Sequence, residues 1–208
     1  MKNVVRSLFF VLLVFSAIDG VAQESGVESH NGFALKGGLN LNLTTTTFGN
    51  MSGVGAYLGG VMGVDIGGGS SFRFELLASF RQSGLSSESV LMETAIENTI
   101  TTSPLFASIL LLYRYQLSEN IGVVAGPRID ILLVESGEQT VVVGGVEKTT
   151  TTSASLSRLD LGFDIGGDYR LTDNLALELR YGRTLLSLLD SDFSDGLNVI
   201  QLGGIYFL

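Results

Sequence analysis

The feature that most constrains this fold is a strict alternation of apolar and polar residues over residues 158–181. Leu, Phe, Ile and Tyr hold most of the odd positions from 159 to 171, while Arg, Asp and Gly hold the even positions. A period of two places one set of side chains on each face of a β-strand. Residues 172–174 (Thr-Asp-Asn) interrupt the pattern with a turn, after which it resumes with Leu175, Leu177 and Leu179. The pattern predicts two antiparallel strands joined by a tight turn.

The polar face of this hairpin indicates which solvent the apolar face meets. It carries seven charged residues of both signs between positions 158 and 180. Charges of mixed sign at this density suit a water-poor interior in which they pair with one another, and the apolar face is then directed to lipid. A pattern that is apolar outside and polar inside is typical of a transmembrane β-barrel.

The same alternation recurs in residues 32–43, 54–66, 71–83, 104–117, 121–134 and 197–208. Turn residues predict short turns at 67–70, 118–120 and 172–174, and polar composition predicts longer loops at 44–52, 84–103, 135–153 and 190–195. The strands are long enough to cross a membrane at a tilt, and an open edge in lipid would leave backbone groups unpaired. We therefore predict an all-β fold, a membrane-embedded eight-stranded antiparallel up-and-down β-barrel.

The inward positions of these strands predict a charge network in the lumen, the space that the barrel encloses. Eight cations and seven acids occupy these positions, so the predicted lumen is nearly neutral. The network comprises Lys36, Asp65, Arg73, Glu75, Arg81, Arg114, Arg128, Asp130, Arg158, Asp160, Asp164, Asp168, Arg170, Glu178 and Arg180. The outward faces are nearly free of charge, with Arg183 as the exception. A charge on the lipid face at mid-membrane costs roughly 2–4 kcal/mol, so this asymmetry favours the barrel.

The first residues carry the pattern of a cleaved export signal. Lys2 and Arg6 precede the apolar residues 8–15, and Gly20-Val21-Ala22 supplies small residues at a cleavage site. The apolar run is shorter than the roughly 20 residues of a spanning helix, which argues against a membrane anchor. We predict a signal peptide at residues 1–22, a short periplasmic tail at 23–31 and the barrel at 32–208.

The chain offers little for catalysis or cofactor chemistry. It has no cysteine and one histidine, His30, in the predicted tail, and its net charge of −9 argues against nucleic acid. A barrel hydrolase or acyltransferase would need a nucleophile and base in reach, and the carboxylate pair Asp160 and Asp164 has arginines nearby. We expect no catalytic, cofactor-binding or metal-binding residues. A soluble calycin-like ligand-binding barrel would require the reverse assignment of faces, and a pore would need an aqueous path past the lumen charges.

Aromatic residues give the predicted barrel a direction. They cluster at strand ends next to the short turns or termini, as in the belts that mark a membrane–water interface: Phe33, Phe72, Phe74, Tyr113, Tyr115, Tyr169 and Tyr206. Short turns face the periplasm in such barrels and long loops face outside.

Several short motifs resemble one family. Residues 32–40 (GFALKGGLN), Phe74-Glu75-Leu76-Leu77, Arg81-Gln82-Ser83-Gly84 and Ala125-Gly126-Pro127 resemble the PorT-type outer-membrane β-barrel domain of Gram-negative bacteria. Residues 201–208 resemble the terminal signal read by the barrel-assembly machinery, with Gln201, Gly203, Tyr206 and Leu208 in the signal positions and Leu in place of the usual Phe. The resemblance implies a barrel similar to the small OmpA/OmpX-like proteins, and it implies no single activity.

These patterns together predict a non-enzymatic integral outer-membrane protein with a charge-filled lumen and acidic surface loops. Its expected partners are outer-membrane lipids, the barrel-assembly machinery during insertion and an extracellular partner of the loops that the sequence does not name. We expect the barrel to be a monomer.

Overall fold

A computed structural model describes residues 32–46, 49–91, 94–143, 146–152, 159–187 and 197–208. These residues form twelve antiparallel strands. The strands are β1 (Gly32–Thr46), β2 (Gly49–Gly67), β3 (Ser70–Arg81), β4 (Ser83–Leu91), β5 (Thr94–Thr102), β6 (Leu105–Gln116), β7 (Ile121–Val134), β8 (Gly137–Val143), β9 (Val146–Thr152), β10 (Leu159–Thr172), β11 (Leu175–Ser187) and β12 (Leu197–Phe207). No helix among the described residues is long and apolar enough to cross a membrane.

Eight of the strands close into a barrel, as predicted. The order β1-β12-β11-β10-β7-β6-β3-β2 returns to β1, because β1 pairs with both β12 and β2. The first and last strands of the barrel thus share a ladder that runs from Ala34–Phe207 to Thr44–Leu197. Closure leaves these eight strands without an open edge, which is the condition for a sheet in lipid.

The three predicted short turns lie at one end of the barrel. Gly67, Gly68 and Gly69 all have positive φ angles, a conformation that glycine adopts without a steric penalty and that lets β2 turn directly into β3. Residues 117–120 connect β6 to β7, and residues 173–174 connect β10 to β11. Aromatic side chains lie near this end, where Phe72 and Tyr113 pack edge to face with ring centroids 5.9 Å apart.

Three segments predicted as loops consist largely of strands, and that part of the sequence interpretation is wrong. In the predicted loop at 44–52, residues 44–46 continue β1 and residues 49–52 begin β2, and the two strands pair as far as Thr46–Gly49. Residues 84–103 form most of the hairpin β4–β5, residues 135–153 contain the hairpin β8–β9, and β5 pairs with β8. The reason is continuity: β5 leads into β6 and β8 follows β7, so the pairing of β6 with β7 extends beyond the barrel. Thr, Val and Ile, which favour strands, are frequent there despite the polar composition. We call these four strands the β-extension.

The two faces of the barrel wall have the assignment that the alternation predicts. Leu, Val, Ile, Phe and Tyr side chains are exposed on the outer surface, whereas arginine, lysine, aspartate and glutamate side chains are buried within. The buried apolar residues form only two small clusters, one around Leu77, Leu110 and Leu112 and one around Ala34, Val61 and Ile205. The soluble calycin-like alternative requires an apolar interior and a charged exterior, and the structure contradicts it.

Some predictions fall outside the described residues. These are the signal peptide at residues 1–22, the tail at 23–31 with His30, the predicted loop at 190–195, and Arg158.

Candidate functional site

The interior of the barrel contains a balanced set of buried charges. Among the described residues, six cations and six carboxylates are buried. The cations are Lys36, Arg73, Arg81, Arg114, Arg128 and Arg180, and the acids are Glu75, Asp130, Asp160, Asp164, Asp168 and Glu178. A buried charge is costly unless it is paired, so the contacts among these twelve side chains decide whether the arrangement is stable.

The network begins near the short turns, at Arg114 on β6. Its guanidinium donates to both oxygens of Asp168, with Nη2–Oδ1 at 2.7 Å and Nε–Oδ2 at 2.9 Å. Arg73 Nη2 lies 2.9 Å from the same carboxylate, and Arg73 Nη1 lies 3.1 Å from Glu178 Oε2. Asp168 thus accepts hydrogen bonds from Arg114 and Arg73, and Arg73 also binds Glu178.

The middle of the network joins side chains from opposite walls. Lys36 of β1 forms ion pairs with Glu178 of β11 and with Glu75 of β3, the latter at 2.9 Å. Arg180 Nη1 lies 2.9 Å from Glu75 Oε2, and Arg180 Nε lies 3.3 Å from Asp164 Oδ2. These contacts cross the lumen between residues as far as 142 positions apart in sequence.

The network ends towards the β-extension. Arg128 Nη1 lies 2.5 Å from Asp164 Oδ1, and Arg128 Nε lies 2.9 Å from Asp130 Oδ2. Arg81 binds Asp130 through both terminal nitrogens, at 2.9 and 3.0 Å, a bidentate arrangement that fixes both groups. Ser108 adds a donor to Asp130 at 2.5 Å. From Arg114 to Arg81, eleven charged side chains of alternating sign therefore form an unbroken chain of ion pairs.

Uncharged side chains connect the remaining two strands of the barrel to this network. Gln201 of β12 accepts a hydrogen bond from Arg180 Nε at 3.0 Å. Tyr57 of β2 places its ring 6.0 Å from Lys36 Nζ. Gln201 was predicted as part of the terminal signal, and neither Gln201 nor Tyr57 was predicted to belong to the network. Both residues occupy inward positions of their strands, but a prediction based on charged residues alone does not include neutral side chains.

Inward-facing glycines make the room that the arginines occupy. A Cβ atom at Gly182 would lie 2.1 Å from Arg128 Nη1 and 2.5 Å from Asp164 Oδ1. A Cβ atom at Gly122 would lie 2.4 Å from Arg114 Nη2. Real Cβ atoms do not approach other atoms this closely, so a side chain at either position would displace an ion pair.

Four of the fifteen predicted network residues lie outside the chain of ion pairs described above. Asp65 accepts a hydrogen bond from the Gly67 amide in the first turn, and Arg170 places its guanidinium 5.4 Å from the Phe207 ring centroid. Asp160 is buried directly opposite Asp130 on the neighbouring strand. Arg158, the fourth, belongs to the residues that are not described.

Three of the four residues assigned to the assembly signal lie on the strand that closes the barrel, and Leu208 directly follows that strand. Gln201 and Gly203 are directed inward, whereas Tyr206 and Leu208 are exposed on the outer side. The Leu208 amide donates to the Phe33 carbonyl at 3.0 Å, which fastens the end of the chain to β1.

The five carboxylates in the chain of ion pairs each contact at least one cation. No group of three or more His, Cys, Asp or Glu residues suited to a metal ion occurs in the described part of the chain.

Comparison with known proteins gives one family. The family model described as "Outer membrane protein beta-barrel domain" matches residues 8–204, most of the chain. No curated protein matches in a sequence search. Similar solved structures include OprG from Pseudomonas aeruginosa, with 13% identity and a TM-score of 0.49 over 88% of this chain and 99% of that chain. Neisserial surface protein A has 13% identity and a TM-score of 0.47 over 85% and 97%, respectively. The Ail protein of Yersinia pestis has 12% identity and a TM-score of 0.47 over 86% and 99%.

Proposed function

Because the chain belongs to the outer membrane protein β-barrel domain family, and is thus a protein of the outer membrane, we propose that it acts there as a non-enzymatic structural and surface protein. In this proposal the lumen is sealed to solutes, and the β-extension is the part of the molecule that meets partners outside the cell. Within the family we assign the chain to the PorT type, on the motifs in residues 32–40 and around Glu75, Arg81 and Gly126.

The observation that carries this proposal is the unbroken chain of ion pairs inside the barrel. Eight strands enclose an interior that side chains can fill. Here the filling includes four large arginine and lysine side chains with essentially no exposed surface: Lys36, Arg81, Arg128 and Arg180. An ion that entered the lumen would have to break these existing ion pairs. The lumen is therefore sealed to solutes in this proposal.

The absence of enzymatic activity is supported by the same pairing. A carboxylate that acts as a general base or nucleophile must be available to substrate. Asp164 and Glu75 are fully buried and contact arginine or lysine. The two acids that sequence analysis considered for catalysis, Asp160 and Asp164, both lie inside the barrel wall.

The sealed lumen is tested by solute permeation. Purified protein, folded into phosphatidylcholine vesicles and checked by heat-modifiable gel mobility, should leave the rate of vesicle swelling in small sugars at the protein-free level. A general porin in the same vesicles is the positive control. Swelling that increases with the amount of folded protein would contradict the sealed lumen.

Assembly is the second part of the proposal. We assign insertion to the barrel-assembly machinery, with Gln201, Gly203, Tyr206 and Leu208 as the recognised residues, after export through a signal at residues 1–22. Deleting residues 206–208 removes part of the ladder between β12 and β1, so the truncated chain should be degraded in the periplasm. Recovery of a folded, heat-modifiable truncated protein from outer-membrane fractions would contradict this assignment.

A further inference from the structure

The lipid-facing surface of the barrel has one charged residue among its described positions. Outward side chains of the eight barrel strands are almost all aliphatic or aromatic, whereas Arg183 on β11 is charged and exposed. Every other arginine described on these strands is buried in the lumen, or, for Arg170, lies near the short turns. A charged side chain on the lipid face is unfavourable in proportion to its depth, so its presence at this position calls for an interaction.

Arg183 has a polar neighbour on the same face. In the ladder between β11 and β12 it lies directly opposite Asn198. Tyr181, the preceding outward residue on β11, donates its hydroxyl to Asn198 Oδ1 at 2.7 Å. This hydrogen bond orients the amide, and an amide nitrogen can only donate. A guanidinium and an oriented amide therefore lie side by side on an otherwise apolar surface.

The height of this cluster corresponds to the edge of the membrane. Leu175 begins β11 beside the short turn, and Arg183 follows it by eight residues. A strand that rises about 3.4 Å per residue and tilts by about 40° gains about 21 Å over that distance, close to the ~25 Å height of an apolar band. By this estimate Arg183 lies about 4 Å inside the edge of that band, so its long side chain reaches the lipid headgroups on the side of the β-extension, where phosphate oxygens are available anions.

We propose that Arg183 and Asn198, oriented by Tyr181, form a site for the phosphomonoester group of an anionic membrane lipid, which, unlike the phosphodiester of phosphatidylcholine, carries no neutralising headgroup cation. The guanidinium supplies the charge and two parallel donors, a geometry that matches phosphate oxygens. The site rests on the proposed function only in requiring that the barrel lie in a bilayer. It goes beyond that function by giving the outer wall a preferred lipid.

The test compares the unfolding of wild type and variants in two vesicle compositions. Folded protein is titrated with urea in phosphatidylcholine vesicles with and without phosphatidic acid, and the folded fraction is read from heat-modifiable gel mobility. The chain has a net charge of −9, so anionic lipid alone should disfavour every variant. The measured quantity is therefore the ratio of wild-type to variant folding constants in each composition.

For Arg183→Leu, the ratio of wild-type to variant folding constants should be about fivefold larger in vesicles with phosphatidic acid than in pure phosphatidylcholine. The reason is that only the wild type retains the guanidinium that binds the anionic phosphate. Arg183→Lys should recover part of the preference. Lys148→Leu removes the same charge from an exposed position on the β-extension and should leave the preference unchanged. Arg183→Gln repeats the comparison if the leucine variant does not fold.

Three outcomes would overturn the lipid site. Equal responses of wild type and Arg183→Leu to phosphatidic acid would remove it. So would a loss in Lys148→Leu as large as that in Arg183→Leu, since the effect would then be general attraction. If inorganic phosphate added to pure phosphatidylcholine vesicles reproduced the effect, the cluster would bind free phosphate and not lipid. Absence of the wild-type protein from the outer-membrane fraction of cells would instead contradict the bilayer location on which the site rests.

Discussion

Removing the carboxylate of Asp164 should destabilise the folded barrel by about 3 kcal/mol. Asp164 is fully buried and joins the two ends of the network, with Arg128 at 2.5 Å and Arg180 at 3.3 Å. Breaking a buried ion pair costs roughly 3–5 kcal/mol when one charge is left alone. Here Arg128 keeps Asp130 at 2.9 Å and Arg180 keeps Glu75 at 2.9 Å, so the lower end of the range applies.

The variant Asp164→Asn keeps the shape of the side chain and removes its charge. The assay is a urea titration in phosphatidylcholine vesicles read by heat-modifiable gel mobility, since the chain has no tryptophan to report unfolding. A loss of 3 kcal/mol lowers the folding constant by about two orders of magnitude. The double variant Asp164→Asn, Arg128→Met should recover part of the loss, because Asp130 retains its bidentate contact with Arg81.

The exposed turn residue Asp173 provides the control, and Asp173→Asn should leave the titration midpoint unchanged within error. A neutral Asp164→Asn, or a double variant that is no better than the sum of its single changes, would refute the view that the interior charges act as one connected network.

Three further predictions concern the wall and its orientation. Ile165→Arg, on the outer face in mid-strand, should cost roughly 2–4 kcal/mol in vesicles, whereas Leu171→Arg beside the turn should cost at most about 1 kcal/mol; equal losses would contradict the assigned depths. Gly182→Ala should displace the ion pair between Arg128 and Asp164, because its Cβ would meet both side chains. The loss of folding free energy in the double variant Gly182→Ala, Asp164→Asn should therefore be smaller than the sum of the two single losses. An epitope inserted after Lys148 should be reached by antibody on intact cells and one at Asp173 should not; the reverse result would invert the orientation of the barrel.

The sequence predicted the wall of the barrel well because its signal is local. Alternation between neighbouring residues fixes which side chains share a face, and strands such as β10 and β11 carry that signal in every residue. The closure of the barrel could also be predicted, because a sheet of eight strands in lipid must pair its two edge strands. Arg183 was already visible as the exception on the outer face.

The partners within the lumen could not be predicted from the same pattern. Glu75 contacts Lys36 and Arg180, residues 39 and 105 positions away. Which residues meet across the lumen depends on the relative shift of all eight strands, and alternation is unchanged by any shift of two residues. The β-extension was missed for another reason. Its polar composition resembled that of loops, and the pairing of β5 with β8 that makes it a sheet is inherited from β6 and β7 below it.

The buried charges also explain why only one face of each strand can be directed to the lumen. Transferring an aliphatic side chain between lipid and a dry interior changes its environment little, so apolar packing alone hardly distinguishes the two faces of the wall. Shifting every strand by one residue would exchange those faces and expose the twelve buried charges to lipid. At up to roughly 2–4 kcal/mol for each basic residue and less for each acid, that exchange costs on the order of tens of kcal/mol. The net stability of the ion pairs can therefore be modest, because their larger effect is to exclude the inverted wall.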